Sequence, residues 1–233
     1  MGVLVLSDFI AEVRAGLGNR TDLPDARIVV GLNLAQLRVS RFWDFQEMKK
    51  FDQGICPFTS NAFHDKFMTV PVNLKTIHTL VLLDGTSSRK LKQRPWRQFD
   101  RRYPSPETDP RSRPQEYSRW GNKFVFYPIF DKPYIAAMRL TARPTPFDNA
   151  VQTMTSDYVE KDDIIINLTL EYFWRSFGRD DKADRFSQAA MGEMAQAIKK
   201  DDDQPDIDVS PDDMAGLDNL GDWWNNPFVK EMP

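Results

Sequence analysis

Cysteine is almost absent from this chain: Cys56 stands alone among 233 residues. One thiol cannot close a disulfide within the chain, which fits a reducing compartment. Histidine is nearly as scarce, with only His64 and His78. A Cys/His zinc site needs four ligands, and these three residues are widely spaced, so no metal centre of that type is expected. A nucleophile–histidine arrangement has equally little to draw on. Cys56 precedes Pro57 with no motif around it, and we expect a half-buried structural thiol in a loop. The chain also lacks a Gly-rich phosphate loop, an HExxH and a GxSxG. Its apolar runs, such as 80–83 and 164–166, fall far short of the ~20 residues of a membrane span. The opening MGVLVLSDFIAEVR has no basic n-region and no small-residue cleavage site, so it does not read as a secretory signal. Leu6 occupies the position where a myristoylation motif calls for Ser or Thr. These absences point away from an enzyme, a cofactor carrier and a membrane protein.

Charge is present in quantity but unevenly placed. The net charge is −3, yet 201–233 holds nine Asp, one Glu and one Lys, a local −9 that leaves +6 for the first 200 residues. Within those, 86–123 carries eleven Arg or Lys against four Asp or Glu. A basic body and an acidic tail are the pattern of an assembly subunit or a neighbour of nucleic acid. The basic candidates are Arg89, Lys90, Lys92, Arg94, Arg97, Arg101 and Arg102. Two uses follow from their chemistry: lining a passage for DNA, or receiving acidic tails.

Periodicity predicts the order of elements. Phe9, Ile10, Val13 and Leu17 share one face of a helix over 7–18, with Ser7 placed to cap it and Gly18-Asn19 to stop it. A second helix over 23–41 starts with Asp22 as cap and Pro24 in its first turn, and carries Ile28, Leu32, Ala35, Leu37 and Val39 inward. Phe42, Trp43 and Phe45 cluster at its exit as core packing. From 47 to 143 the period turns towards two. The clearest hairpin has Leu74, Ile77, Leu80 and Leu82 on its first strand, an Asp84-Gly85 turn, and Leu91 on its return. A short helix places Trp96, Phe99 and Tyr103 on one face. The stretch PQEYSRWGNKFVFYPIFDKPYIAAMRLTARP reads as a three-strand meander with turns at Gly121-Asn122 and Asp131-Lys132-Pro133. Two more helices, 157–177 and 180–199, form an antiparallel hairpin joined at Gly178, with Ile164, Leu168, Tyr172 and Phe173 inward on the first. The fold class is α+β: an N-terminal helix pair, a central antiparallel β meander or sandwich, a C-terminal helix hairpin and an extended acidic tail. We divide it into a body, 1–200, and a docking tail, 201–233.

Two features invite a functional reading. The alternating aromatics of KFVFYP resemble a base-stacking strand, but Lys123 stands where such a strand has Gly, and a half-buried antiparallel strand asks for the same alternation. The Asp pairs 162–163 and 180–181 sit at helix starts, where the dipole favours them without any acid–base role. The tail is more informative. Leu217, Leu220, Trp223, Trp224 and Phe228 are costly to leave in water, and Trp is among the commonest interface hot spots, so the tail is expected to dock, on its own body or on a partner.

The run P-x-x-Y-x-x-x-G-x-x-[FV]-x-[FL]-x-P-x-x-D-x-x-Y-x-[AL] is matched by Pro114, Tyr117, Gly121, Phe124, Phe126, Pro128, Asp131, Tyr134 and Ala136, and more loosely by Arg139, Pro144 and Phe147 beyond it. With the helix pairs on either side, the chain over about 5–198 resembles the head–tail adaptor (connector) proteins of tailed bacteriophages. The resemblance implies a non-enzymatic ring subunit, commonly in a dodecamer, beneath the portal of the virion neck and made in the host cytoplasm. Portal, tail or nozzle proteins and channel DNA are the implied partners, and no cofactor or membrane is involved. The length and Trp pair of 201–233 depart from the pattern, leaving portal, neighbouring subunit and tail component all open as its partner.

Overall fold

The computed structural model describes residues 4–56, 58–59, 65–84 and 88–202. Among them the chain is mixed helix and sheet, with five α-helices and two four-stranded sheets. The first helix, α1 (Leu6–Gly16), starts one residue earlier than predicted, and Ser7 does not cap it. Val5 instead bridges Thr155, Leu6 N–H donates to Met154 O at 2.7 Å, and the Asp8 carboxylate accepts from Val5 N–H at 3.3 Å. A long-range strand-like contact therefore fixes the helix start. The predicted stop holds: Gly18 and Asn19 take φ of 77° and 57°, the left-handed region that Gly and Asn tolerate. Helix α2 (Asp25–Phe42) follows Pro24, and Asp22 is not its cap because Arg20 claims that carboxylate at 2.6 Å.

The strands are β1 (Lys49–Cys56), β2 (Phe67–Thr69), β3 (Leu74–Leu83), β4 (Ser88–Lys90), β5 (Lys92–Gln93), β6 (Glu116–Trp120), β7 (Lys123–Tyr127) and β8 (Tyr134–Ala142). One sheet runs β1-β8-β3-β4 and the other β2-β7-β6-β5. The predicted meander is thus corrected. β6 and β7 pair as a hairpin, but β8 leaves them and inserts between β1 and β3. The intervening Ile129 and Phe130 are buried at 1% and 0% exposure, so the crossing segment is itself part of the core. The antiparallel rule has one exception: β5 pairs with β6 in parallel, with helix α3 (Trp96–Arg102) between them in sequence. In the predicted hairpin, Ile77 breaks the parity of Leu74, Leu80 and Leu82. Register irregularities at Leu74/Thr76 and Ile77/Thr79 explain this, since each slip reverses the side facing the core. Gly85 of its predicted turn lies outside the described residues, while Asp84 at its start pairs with Lys132 at 2.6 Å.

The facing sides of the two sheets close on each other through Phe124, Phe126, Phe130, Tyr134, Ala136 and Met138. The aromatics of KFVFYP are therefore interior packing, as the strand reading required, although Val125 is also buried, at 2%, so both faces of β7 are covered. Cys56 ends a strand rather than lying in a loop, and it is fully buried; its Sγ stands 3.9 Å from Met68 Sδ, and burial pushes the thiol up to about 12.

Helices α4 (Asp162–Ser176) and α5 (Asp180–Asp202) pack as the predicted hairpin, with Gly178 at φ 68° between them. α4 begins five residues late. Glu160 at φ 57° breaks the helical path, and Asp157 is used to accept Thr145 N–H at 2.6 Å. Ile164, Leu168 and Phe173 are buried as expected, whereas Tyr172 is exposed. The acidic pairs do sit in the first turns of α4 and α5. Burial pushes the Asp162 carboxyl above its usual range, against the hydrogen bond it accepts from Leu4 N–H. α4 lies against α1 and α2, close enough that a Cβ on Gly31 would meet Phe173 Cε2 at 2.9 Å. The helical and β parts share one core, joined where Phe45 meets Tyr158 and where Phe147 exchanges hydrogen bonds with Asn33 at 2.7 and 3.1 Å. Of the exit cluster only Phe45 is fully buried; Phe42 faces solvent.

Candidate docking surfaces

The basic segment does not fold into one patch. Arg89 and Lys90 lie on β4, at one edge of the first sheet, and Lys92 lies on β5, at one edge of the second. Buried Leu91 joins them; its N–H donates to Leu80 O at 2.9 Å before the chain changes sheet. Arg94 is withdrawn from any partner role. It donates to both oxygens of Glu116 at 2.9 and 2.7 Å, with Tyr103 OH adding a third bond at 3.3 Å. The Arg94 hydrogen bonds hold the Glu116 carboxyl below its usual range. Arg97, Arg101 and Arg102 remain exposed and, with Gln98, surround one shallow depression on α3.

These arginines stand outward because α3 turns its other side to the second sheet. Phe99 is 1% exposed, Tyr103 stacks on Tyr127 at 3.5 Å between ring centroids, and Trp96 lies 4.5 Å from Trp120. The Trp96, Phe99 and Tyr103 spacing read from sequence is this contact. Leu217, Leu220, Trp223, Trp224 and Phe228 lie outside the described residues. The start of the predicted tail is not free, however. α5 runs to Asp202, and Asp201 is buried, accepting from Trp43 Nε1 at 2.8 Å and from Gln46 N–H at 3.1 Å.

Two apolar surfaces escaped the sequence reading. On α2, Val30, Leu34 and Leu37 are exposed by 54%, 45% and 37% at i, i+4 and i+7. The helical spacing predicts Leu37 inward, and the structure turns it outward. The opposite side of the same helix is buried through Ile28, Leu32 and Val39, so α2 is apolar nearly all round. The second surface is the outer face of the β1-β8-β3-β4 sheet. Register puts Phe51 beside Arg139 and Thr79, then Gln53 beside Ala137, Val81 and Lys90, then Ile55 beside Ile135, Leu83 and Ser88. Phe51, Ile55 and Ile135 are 62%, 77% and 47% exposed. The signal was present: Phe51 and Ile55 share a parity that Cys56 does not, and an unpaired cysteine is commonly buried.

Compared with known protein families and with curated proteins, the chain matches none.

Among the described residues no three His, Cys, Asp or Glu side chains converge as a metal cluster would, and no helix is long and apolar enough to cross a membrane. The charged groups that do meet, such as Arg111 with buried Asp65 at 2.7 Å and Arg38 with buried Glu171 at 2.7 Å, tie segments together across the fold. Among the described residues the surface presents two exposed apolar areas and a cluster of outward arginines.

Proposed function

We propose that this chain is a non-enzymatic structural subunit of a phage neck, forming a ring beneath the portal that extends the DNA channel and gives the tail its platform. The observation that carries the reading is the pair of exposed apolar surfaces on unlike elements, the α2 stripe of Val30, Leu34 and Leu37 and the sheet face of Phe51, Ile55 and Ile135. A closed ring joins subunits head to tail through two different surfaces, and the folded body presents two. The adaptor-like run from Pro114 to Ala136 supports the same reading, since Phe124, Phe126, Tyr134 and Ala136 are interior residues whose pattern specifies a scaffold. Mass measurement tests it. Mixed with portal protein, the chain is expected to form a ring of fixed copy number, with Leu34→Asp blocking assembly while the body stays folded. A chain that remains monomeric with portal overturns the reading.

The depression among Arg97, Arg101 and Arg102 favours a second reading, a nucleic-acid-binding module. Tight DNA binding by the monomer, falling steeply with salt and lost in a triple alanine variant, would establish it in place of the first. Weak, salt-insensitive binding would remove it.

A further inference from the structure

We propose that the outer face of the β1-β8-β3-β4 sheet is the seat of the chain's own C-terminal segment, 203–233, folded back on the molecule that carries it. Three observations converge on this, and none depends on the phage reading; in a ring, a neighbouring subunit would take this face by displacing the segment.

The first is the tether. Asp201 is bonded to Gln46, three residues before β1 begins at Lys49. The segment therefore departs beside the Lys49 end of the face. From Lys49 to Ile55 the face is about 20 Å long at ~3.3 Å per residue. The segment following Asp202 reaches about 100 Å when extended, several times what is needed.

The second is charge. The outward positions of this sheet carry three cations, Lys49, Lys90 and Arg139, and no carboxylate among the residues in register with them. None of the three has an ion-pair partner among the described residues. The segment has seven Asp, one Glu and one Lys, a net −7. The two surfaces carry opposite charge and attract each other.

The third is apolar content. Phe51 stands exposed among those cations, Ile55 and Ile135 stand exposed one row beyond Lys90, and the segment holds Leu217, Leu220, Trp223, Trp224 and Phe228. Large side chains on both sides leave water together when the two meet. A tethered segment also meets its own face at an effective concentration in the millimolar range, well above that of a second copy in dilute solution.

Thiol labelling tests the seat in the full-length protein. Cys56 is buried and its thiol pushed up to about 12, so it reacts slowly and leaves a quiet background. A new thiol at Ile135→Cys, or at Phe51→Cys should the first fold poorly, reports coverage of the face. Val72→Cys, at a residue 98% exposed, serves as the open reference. The thiol on the face is expected to react about tenfold more slowly than the reference, unchanged over about a hundredfold range of protein concentration. Adding Trp223→Ala with Trp224→Ala should bring its rate up to the reference. Reaction as fast as the reference from the outset overturns the proposal. Protection that appears only at high concentration overturns it in favour of a neighbouring copy, and protection indifferent to the Trp substitutions overturns it in favour of another occupant.

Discussion

The two sheets of this molecule are built alike inside and treated oppositely outside. The β2-β7-β6-β5 sheet carries α3 over its outer face, so Tyr127 is stacked under Tyr103 and Phe99 is sealed from water. The β1-β8-β3-β4 sheet leaves Phe51, Ile55 and Ile135 in solvent. Both faces are apolar enough to want a cover, but the chain spends a helix on only one. A covered face contributes to stability, whereas an uncovered one is available for recognition. The basic residues divide in the same way. Arg94 is consumed in holding Glu116 beneath the covering helix, while Lys90 and Arg139 remain outward on the bare sheet.

The sharpest way to break this contrast is to remove the centre of the cover. Phe99→Ala is expected to cost about 3–5 kcal/mol in denaturant unfolding, because α3 has only seven residues and cannot persist without its packing. A loss under about 1 kcal/mol would mean that the helix merely rests on the sheet. A smaller effect separates the two regions by pH. Glu116 titrates below its ordinary value of 4.5 in the folded protein, so its ion pair stabilises fully above that value and is lost as pH falls through the lower, folded one. Wild type should therefore lose more stability between about pH 4.5 and 2 than Glu116→Gln does, as measured by unfolding curves across that range. Parallel curves would show that the carboxylate contributes no pH-dependent stability. The smallest effect belongs to the bare sheet. Phe51→Thr keeps a β-favouring residue and removes a ring that the described body does not enclose. Its cost should stay within about 1.5 kcal/mol, a limit that includes the loss of a segment seated with tenfold protection.

Several of these features were legible beforehand, and the misses share a cause. The helix stops at Gly18-Asn19 and Gly178 could be read because a positive φ selects residue type locally. The α3 stripe could be read because three aromatics at i, i+3 and i+7 have no other economical use. Helix starts were misread where a distant partner decided them: Val5 with Thr155 for α1, and Asp157 with Thr145 before α4. Of the surface candidates, Arg94 looked like its basic neighbours, and nothing in its local sequence indicated that its Nε and Nη2 would both donate to Glu116. Phe51, Ile55, Val30 and Leu34 were missed because apolar residues at regular spacing are ordinarily assigned to the interior.

The sequence by itself determined the class of the fold, the helix–sheet–helix order, the separation of basic body from acidic end, and the interior role of Phe124 and Phe126. These follow from periodicity and composition, which act within a few residues of each other. Only the tertiary structure decided that β8 would leave its neighbours for the other sheet, that Asp201 would be pinned at Gln46, and that one apolar sheet face would be covered and the other left bare. Those outcomes depend on which distant segments win the competition to bury surface and pair charge, a contest settled by the whole chain at once.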